Sequence, residues 1–92
     1  MRAVDSNAER DGAATLALQA LVWTLAEPAR AMRLLDTTGL TPGDLRASAS
    51  SPATLVALLT VLEAHEPDLI ACAEGIETTP AALVRAREAL EA

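Results

Sequence analysis

The chain has 92 residues, 51% of them hydrophobic, and a formal net charge of −6. A chain of this length forms about one small domain with a modest core, and its acidic balance argues against nucleic acids and anionic membranes, which attract cationic proteins. One cysteine and one histidine exclude an internal disulfide and a closed zinc site.

The apolar residues are almost all aliphatic, since the chain contains one Trp, Trp23, and no Phe or Tyr. Ala and Leu have the highest helix propensities, whereas aromatic and β-branched residues favour strands. We therefore predict an all-α fold: a single compact domain over residues 1–92, with five to six short helices around a Leu/Ala-rich core. Residues 1–6 are predicted to be flexible.

Prolines divide the chain into segments, and each of the 5 stands where a helix can begin, because proline at the first helical position loses no hydrogen bond. Thr41, Ser51 and Thr79 precede three of them and are predicted N-caps. Gly39 and Gly75 are predicted to end the preceding helices in the left-handed conformation. In chain order the predicted helices span residues 6–26, 28–38, 42–49, 52–65, 67–74 and 80–91.

The first predicted helix contains the segment LALQALVWTLA, residues 16–26, which is apolar nearly all round. Its i, i+3, i+4, i+7 pattern predicts a core-facing side made of four residues, Leu18, Leu21, Val22 and Leu25. Such a helix is either central to the core or covered on a second side by a partner. Because the remaining helices are short, we predict an exposed interaction face at Leu16, Ala20 and Trp23. The alternative is a fully enclosed first helix.

Three arginines of the second and third helices form a candidate contact for an anion or a partner. Arg30 and Arg33 lie one turn apart, and Arg46 comes close if the intervening corner folds back. Together they could clamp a carboxylate or a phosphate. The alternative is ordinary surface pairing with nearby acidic residues, Glu27, Asp36 or Asp44.

The corner between these helices reads TTGLTPGDLRA, residues 37–47, and has the residue types of a helix-turn-helix. In that interpretation residues 42–50 enter the major groove of DNA, with three side chains near the bases, Arg46, Ser48 and Ser50. A recognition helix needs supporting phosphate contacts, however, and this one has a single arginine in an acidic domain. The alternative is a plain helix corner.

No residues suggest catalysis. His65 ends the fourth predicted helix, where it interacts well with the helix dipole, and no Ser-His-Asp or Cys-His spacing is present. Cys72 lies among apolar neighbours and is predicted to be a buried small side chain. We therefore expect no enzyme activity, no metal and no cofactor.

The N-terminal segment MRAVDSNAERDG is polar and charged, unlike a signal peptide. The longest charge-free stretch, residues 13–26, is shorter than the roughly 18 apolar residues that span a bilayer. The expected localisation is cytoplasmic, without membrane contact.

The order of these features, from about Ala14 to Leu90, resembles an uncharacterised alphaproteobacterial family called domain of unknown function 3572. The most specific pieces are Glu27-Pro28, the Thr38-Gly39-Leu40 corner with Pro42 and Leu45-Arg46, Pro52, Glu66 and Cys72. The resemblance implies a compact helical fold in a bacterial protein and carries no catalytic residue over to this chain.

The sequence thus favours a non-enzymatic module that self-associates or binds another protein through an apolar helical face. The alternative is a helix-turn-helix DNA-binding protein that uses residues 42–50.

Overall fold

The computed structural model describes the backbone of residues 2–92 and the side chains of residues 8–92. In this part of the chain the helices are α1 (Arg2–Leu25), α2 (Pro28–Thr38), α3 (Pro42–Ala47), α4 (Pro52–Ala64), α5 (Glu66–Gly75) and α6 (Pro80–Glu91). The described residues contain no strand, and they pack into one compact unit, so the predicted single all-α domain is confirmed. Met1 and the side chains of residues 2–7 lie outside the description, and the flexibility of residues 1–6 stays a prediction.

The helix starts follow the predicted chemistry, because four helices begin at a proline and α5 has Pro67 in its first turn. Thr41 and Thr79 cap α3 and α6 with their side-chain oxygens, which accept from Asp44 N at 3.0 Å and Ala82 N at 3.1 Å. Asp44 Oδ2 accepts from Thr41 N at 3.2 Å, which completes a capping box. Ser51 occupies the N-cap position of α4 but makes no side-chain capping bond.

Of the two predicted glycine stops, one is confirmed and the other is wrong. Gly39 has φ 75° and ends α2, and its N–H donates to Leu35 O at 2.8 Å. Gly75 is the last residue of α5, and the residue with positive φ is Glu77, at 60°. Thr78 N donates to Ala73 O at 2.8 Å, so Glu77 takes the left-handed position of a Schellman end.

Helix α1 lies at the centre of the fold and contacts α6, α4, α2 and α5. Its N-terminal half is linked to the C-terminus of the chain by Arg10, whose Nη1 donates to Ala92 O at 2.6 Å. Between α6 and α4, Arg87 Nε donates to Glu63 Oε2 at 2.6 Å, and this hydrogen bond and the negative charge of Glu63 raise the pKa of Arg87. No helix in the described part of the chain is both long and apolar enough to cross a membrane.

The core is aliphatic, as predicted, and α4 supplies much of it through its predicted apolar stripe. Leu55, Leu58, Leu59 and Leu62 are all buried, so this stripe is confirmed. Helix α1 contributes mainly small side chains: Ala13, Ala17, Ala20, Leu21 and Thr24. Small residues at one-turn spacing let neighbouring helices approach closely, and this explains why α6 and α4 pack on this side of α1.

Candidate interaction surface

The side of α1 that faces solvent is not the predicted one. Ala20 is 0% exposed and belongs to the core, so its assignment to an exposed face is wrong. Leu16 and Trp23 are half-buried against the core. The alanine side of the helix was buried instead because α4 and α6 can pack closest there.

The exposed apolar side chains of α1 come from the stripe predicted to face the core. Leu18, Val22 and Leu25 are 36%, 68% and 41% exposed, and only Leu21 of that stripe is buried. The three lie at i, i+4 and i+7, on one side of the helix. We call Leu18, Val22 and Leu25 the α1 apolar face. A shallow depression beside it is lined by Thr15, Leu18, Gln19 and Val22.

The α1 apolar face continues into a groove between α1, α2 and α3. We call this cavity of about 370 Å³ the α3 groove; its lining residues are Leu21, Leu25, Ala31, Leu35, Pro42, Leu45, Arg46 and Ala49. Leu21 and Leu45 are buried at its floor, and Leu25 belongs to both the groove and the face. Arg46 is its one charged lining residue. Exposed apolar surface therefore extends from the middle of α1 to α3.

Local sequence chemistry sets the position of α3. Gly39 turns the chain, the capping box fixes the start of the helix, and Leu45 anchors it in the core. At its end, Thr54 Oγ1 of α4 donates to Ser48 Oγ at 2.9 Å, and Ser48 Oγ donates to Asp44 O at 2.8 Å. Helix α3, which forms one wall of the α3 groove, is therefore held in place at both of its ends.

This geometry does not favour the DNA-binding interpretation of residues 42–50. Helix α3 has 6 residues and ends at Ala47, two residues before its predicted end, so residues 48–50 form a turn. The hydroxyl of Ser48 is engaged within the domain, and Arg46 lines the apolar groove. A recognition helix presents several such side chains to the bases together, and here they do not share one helix.

Trp23 is held between two elements of the domain itself. The Arg30 guanidinium lies 3.7 Å from the ring centroid, and Arg30 Nη2 donates to Trp23 O at 2.6 Å. Arg30 Nη1 also pairs with Glu27 Oε2 at 3.0 Å. The indole also lies so close to Gly75 that a Cβ there would be 2.6 Å from Nε1. The ring therefore joins α1 to α2 and α5, which accounts for the glycine at the end of α5.

The three predicted anion-contact arginines have different environments. Arg30 stacks on Trp23 and pairs with Glu27, and Arg33 of α2 pairs with Asp68 of α5. Arg46 lines the α3 groove, which includes neither of the others. Two of the arginines thus form ion pairs within the domain: Arg30 has the predicted partner Glu27, whereas Arg33 pairs with Asp68 and not with Asp36 or Asp44. Only Arg46 lies on the candidate surface.

The thiol of Cys72 is fully buried, at 0% exposure, so the predicted buried small side chain is confirmed. Burial raises the pKa of Cys72 from its ordinary 9.0 to about 11; the positive charge of Arg30 partly opposes this rise, and the negative charge of Asp68 adds to it. His65 Nε2 lies 3.8 Å from Asp68 Oδ1. Within the described residues no three potential ligands are grouped to hold a metal ion.

The chain matches the model of a family described as protein of unknown function (DUF3572) over residues 10–92. It belongs to the DUF3572 family. The match covers the predicted range and extends past both of its ends. No curated protein and no solved structure matches the chain. For this DUF3572 domain, the function must therefore be inferred from its own residues and their geometry.

The buried thiol gives this DUF3572 domain a defined alkaline stability profile. Because the folded-state pKa of Cys72 is raised, its contribution to stability is fully present below about pH 9 and is lost as the pH rises towards 11. We expect the free energy of unfolding to fall by about 2 to 3 kcal/mol over this range. The chain has no Lys and no Tyr, so no other side chain titrates there. Urea titrations at several pH values measure the effect.

Cys72→Ala is the matched control, and its free energy of unfolding should stay level between pH 9 and 11. A parallel test is the reaction of the native thiol with iodoacetamide at pH 8, which should be at least about a hundredfold slower than in the urea-unfolded chain. Equal rates in the two states, or equal alkaline profiles for the two proteins, would contradict the buried location of the thiol.

Proposed function

We propose that this protein is a non-enzymatic interaction domain of the bacterial cytoplasm, which binds a protein partner or a second copy through the α1 apolar face and the α3 groove. The observation that carries the proposal is Val22, which is 68% exposed in the last turn of the central helix and stands between two other exposed aliphatic side chains, Leu18 and Leu25. Contiguous exposed apolar surface of this kind marks interaction sites.

The exposed side chains of the α1 apolar face have no evident role in folding. A β-branched valine at an exposed helix position has a lower helix propensity than alanine and gains little from packing. Covering the exposed parts of the three side chains would contribute about 2 to 4 kcal/mol to an association. Association costs about 4 kcal/mol or more in lost freedom, so the α3 groove must contribute as well.

The non-enzymatic part of the proposal rests on the chemistry of the surface. The α3 groove has one charged lining residue, Arg46, and no nucleophile or general base among the others. The thiol of Cys72 is buried and its pKa is raised, which suits packing better than catalysis. A lone unpaired cysteine also agrees with a reducing compartment such as the cytoplasm.

Site-specific photo-crosslinking in host cells tests the proposal. A benzophenone amino acid at Val22 should give a discrete crosslinked product, which Leu18→Glu in the same chain should abolish by placing a charge on the face. The matched control is the same photo-crosslinker at Met32 of α2, which is 62% exposed and lies outside the surface.

The mass of the product separates the two kinds of partner. A product of twice the chain mass indicates a second copy, and any other discrete mass indicates a different protein. If the Val22 and Met32 positions give the same pattern, or Val22 gives no product, the α1 apolar face is not an interaction surface.

A further inference from the structure

We infer that the α3 groove binds one amphipathic helix of another protein, and that this helix carries an acidic side chain opposite Arg46. The inference rests on the proposed function and specifies the partner of the same surface. It combines the apolar lining of the groove, its single cation and its limited extent.

The shape and lining of the surface fit a helix. The α1 apolar face from Leu18 to Leu25 extends over about 10 Å, or two helical turns, and the α3 groove of about 370 Å³ continues it. A partner helix presents apolar side chains at i, i+3 or i+4, and i+7, which is the spacing that such grooves accept. We expect two such side chains in the groove, over the buried Leu21 and Leu45, and one beside Val22.

The charge of the surface fixes one further feature of the partner. Arg33 and Arg87 pair with carboxylates, whereas Arg46 forms no ion pair with any of the described residues. A helix that covers the groove removes water from around this guanidinium, and a carboxylate opposite it offsets the loss. Because the chain has a net charge of −6, an acidic side chain is repelled at most other places. The acid therefore fixes the register of the bound helix.

A second copy of the chain fits this surface less well. Stable protein interfaces bury about 800 Å² on each partner and involve roughly 20 residues a side, whereas the α1 apolar face and the α3 groove comprise about half as many. Two chains that each carry a net charge of −6 also repel one another. A single helix of another protein needs only a groove of this size, and it does not share the net negative charge that makes two copies repel each other.

The test is an mRNA-display selection of random 16-residue peptides on the immobilised full chain. We expect the enriched peptides to have apolar residues at helical spacing and Asp or Glu at one fixed offset from them. Selection on the Arg46→Glu variant should replace that acid with Lys or Arg. A synthesised peptide from the first selection should bind Arg46→Gln with intermediate affinity and Arg46→Glu about tenfold more weakly than the original chain.

Arg85→Glu is the matched control, because it makes the same change in net charge at an exposed arginine of α6 outside the groove. It should alter the affinity of the same peptide by less than about twofold. The inference is overturned if no peptide is enriched, if no acid recurs at a fixed offset, or if Arg85→Glu weakens binding as much as Arg46→Glu. It is also overturned if Ala49→Glu, which places a charge in the groove, leaves binding unchanged.

The two experiments can fail separately. If the photo-crosslinker at Val22 captures a discrete partner but the peptides lack the acid, the interaction surface stands and the partner chemistry is wrong. If the crosslinked partner is a second copy of the chain, the interaction surface again stands, but the inference that a helix of another protein binds there is wrong. If neither experiment gives a product, the proposed function is wrong as well.

Discussion

Replacing Ala20 with glutamate is expected to unfold most of the domain at neutral pH, whereas the same substitution at Val22, two residues further along, leaves it folded. Ala20 is 0% exposed, so the new carboxyl must either be buried charged or take up a proton. With the added volume, we expect the free energy of unfolding to fall by about 5 kcal/mol or more. The total stability of a domain this small is about 5 to 14 kcal/mol.

Val22→Glu provides the comparison, since its side chain is 68% exposed and the new carboxylate stays in water. Its free energy of unfolding should remain within about 0.5 kcal/mol of the original value. Thermal unfolding followed by far-UV circular dichroism measures both variants. A cooperative transition of Ala20→Glu at the original Tm would show that α1 is rotated relative to this structure, with its alanine side in solvent.

Gly75→Ala is expected to destabilise the domain, although alanine is the better helix former. The new methyl group would lie 2.6 Å from Trp23 Nε1 and 2.8 Å from Cδ1, so the indole or α5 must shift. The ring is rigid and also stacks against the Arg30 guanidinium at 3.7 Å from its centroid, so a rotation of the indole away from Gly75 disturbs this contact. Overpacking costs about 1 to 3 kcal/mol, and the gain in helix propensity offsets at most about 1 kcal/mol of it. We expect Tm to fall by about 5 to 10 °C.

Gly12→Ala is the matched control within α1, because a Cβ at Gly12 meets nothing within 4 Å. It should raise Tm slightly, by the ordinary preference for alanine in a helix. Trp23 is the only Trp in the chain and reports on its own position, and its emission should shift to longer wavelength in Gly75→Ala alone. An unchanged emission with unchanged Tm would mean that the indole does not pack against Gly75.

The helix starts and the fold class could be predicted because they depend on local chemistry. A proline at or near the first helical position and the threonine caps at Thr41 and Thr79 influence only the few residues around them. The absence of Phe and Tyr favours helices throughout the chain. The predicted boundaries of α2 to α6 lie within two residues of the observed ones. The start of α1 at Arg2 lies further from its predicted position, since no cap or proline precedes it.

The exposed face of α1 could not be predicted in the same way. The C-terminal part of the helix is apolar nearly all round, so its periodicity has no single preferred side, and the pattern predicts inward leucines and an outward Ala20. The structure shows the reverse: α4 and α6 pack against α1, and Ala13, Ala17 and Ala20 are buried while Leu18, Val22 and Leu25 are exposed. A signal was present in the spacing of Ala13, Ala17 and Ala20, which is helical and consists only of small residues.

The sequence by itself determined where helices α2 to α6 begin and that the helices enclose an aliphatic core, since caps, prolines and helix propensity act locally. Only the tertiary structure decided which side of α1 is exposed, that Arg33 pairs with Asp68, and that Gly75 makes room for Trp23. It also decided that Arg46 lies at an apolar groove. Each of these four features depends on how closely two segments that are distant in the sequence can pack. The side chains of both segments set that packing distance.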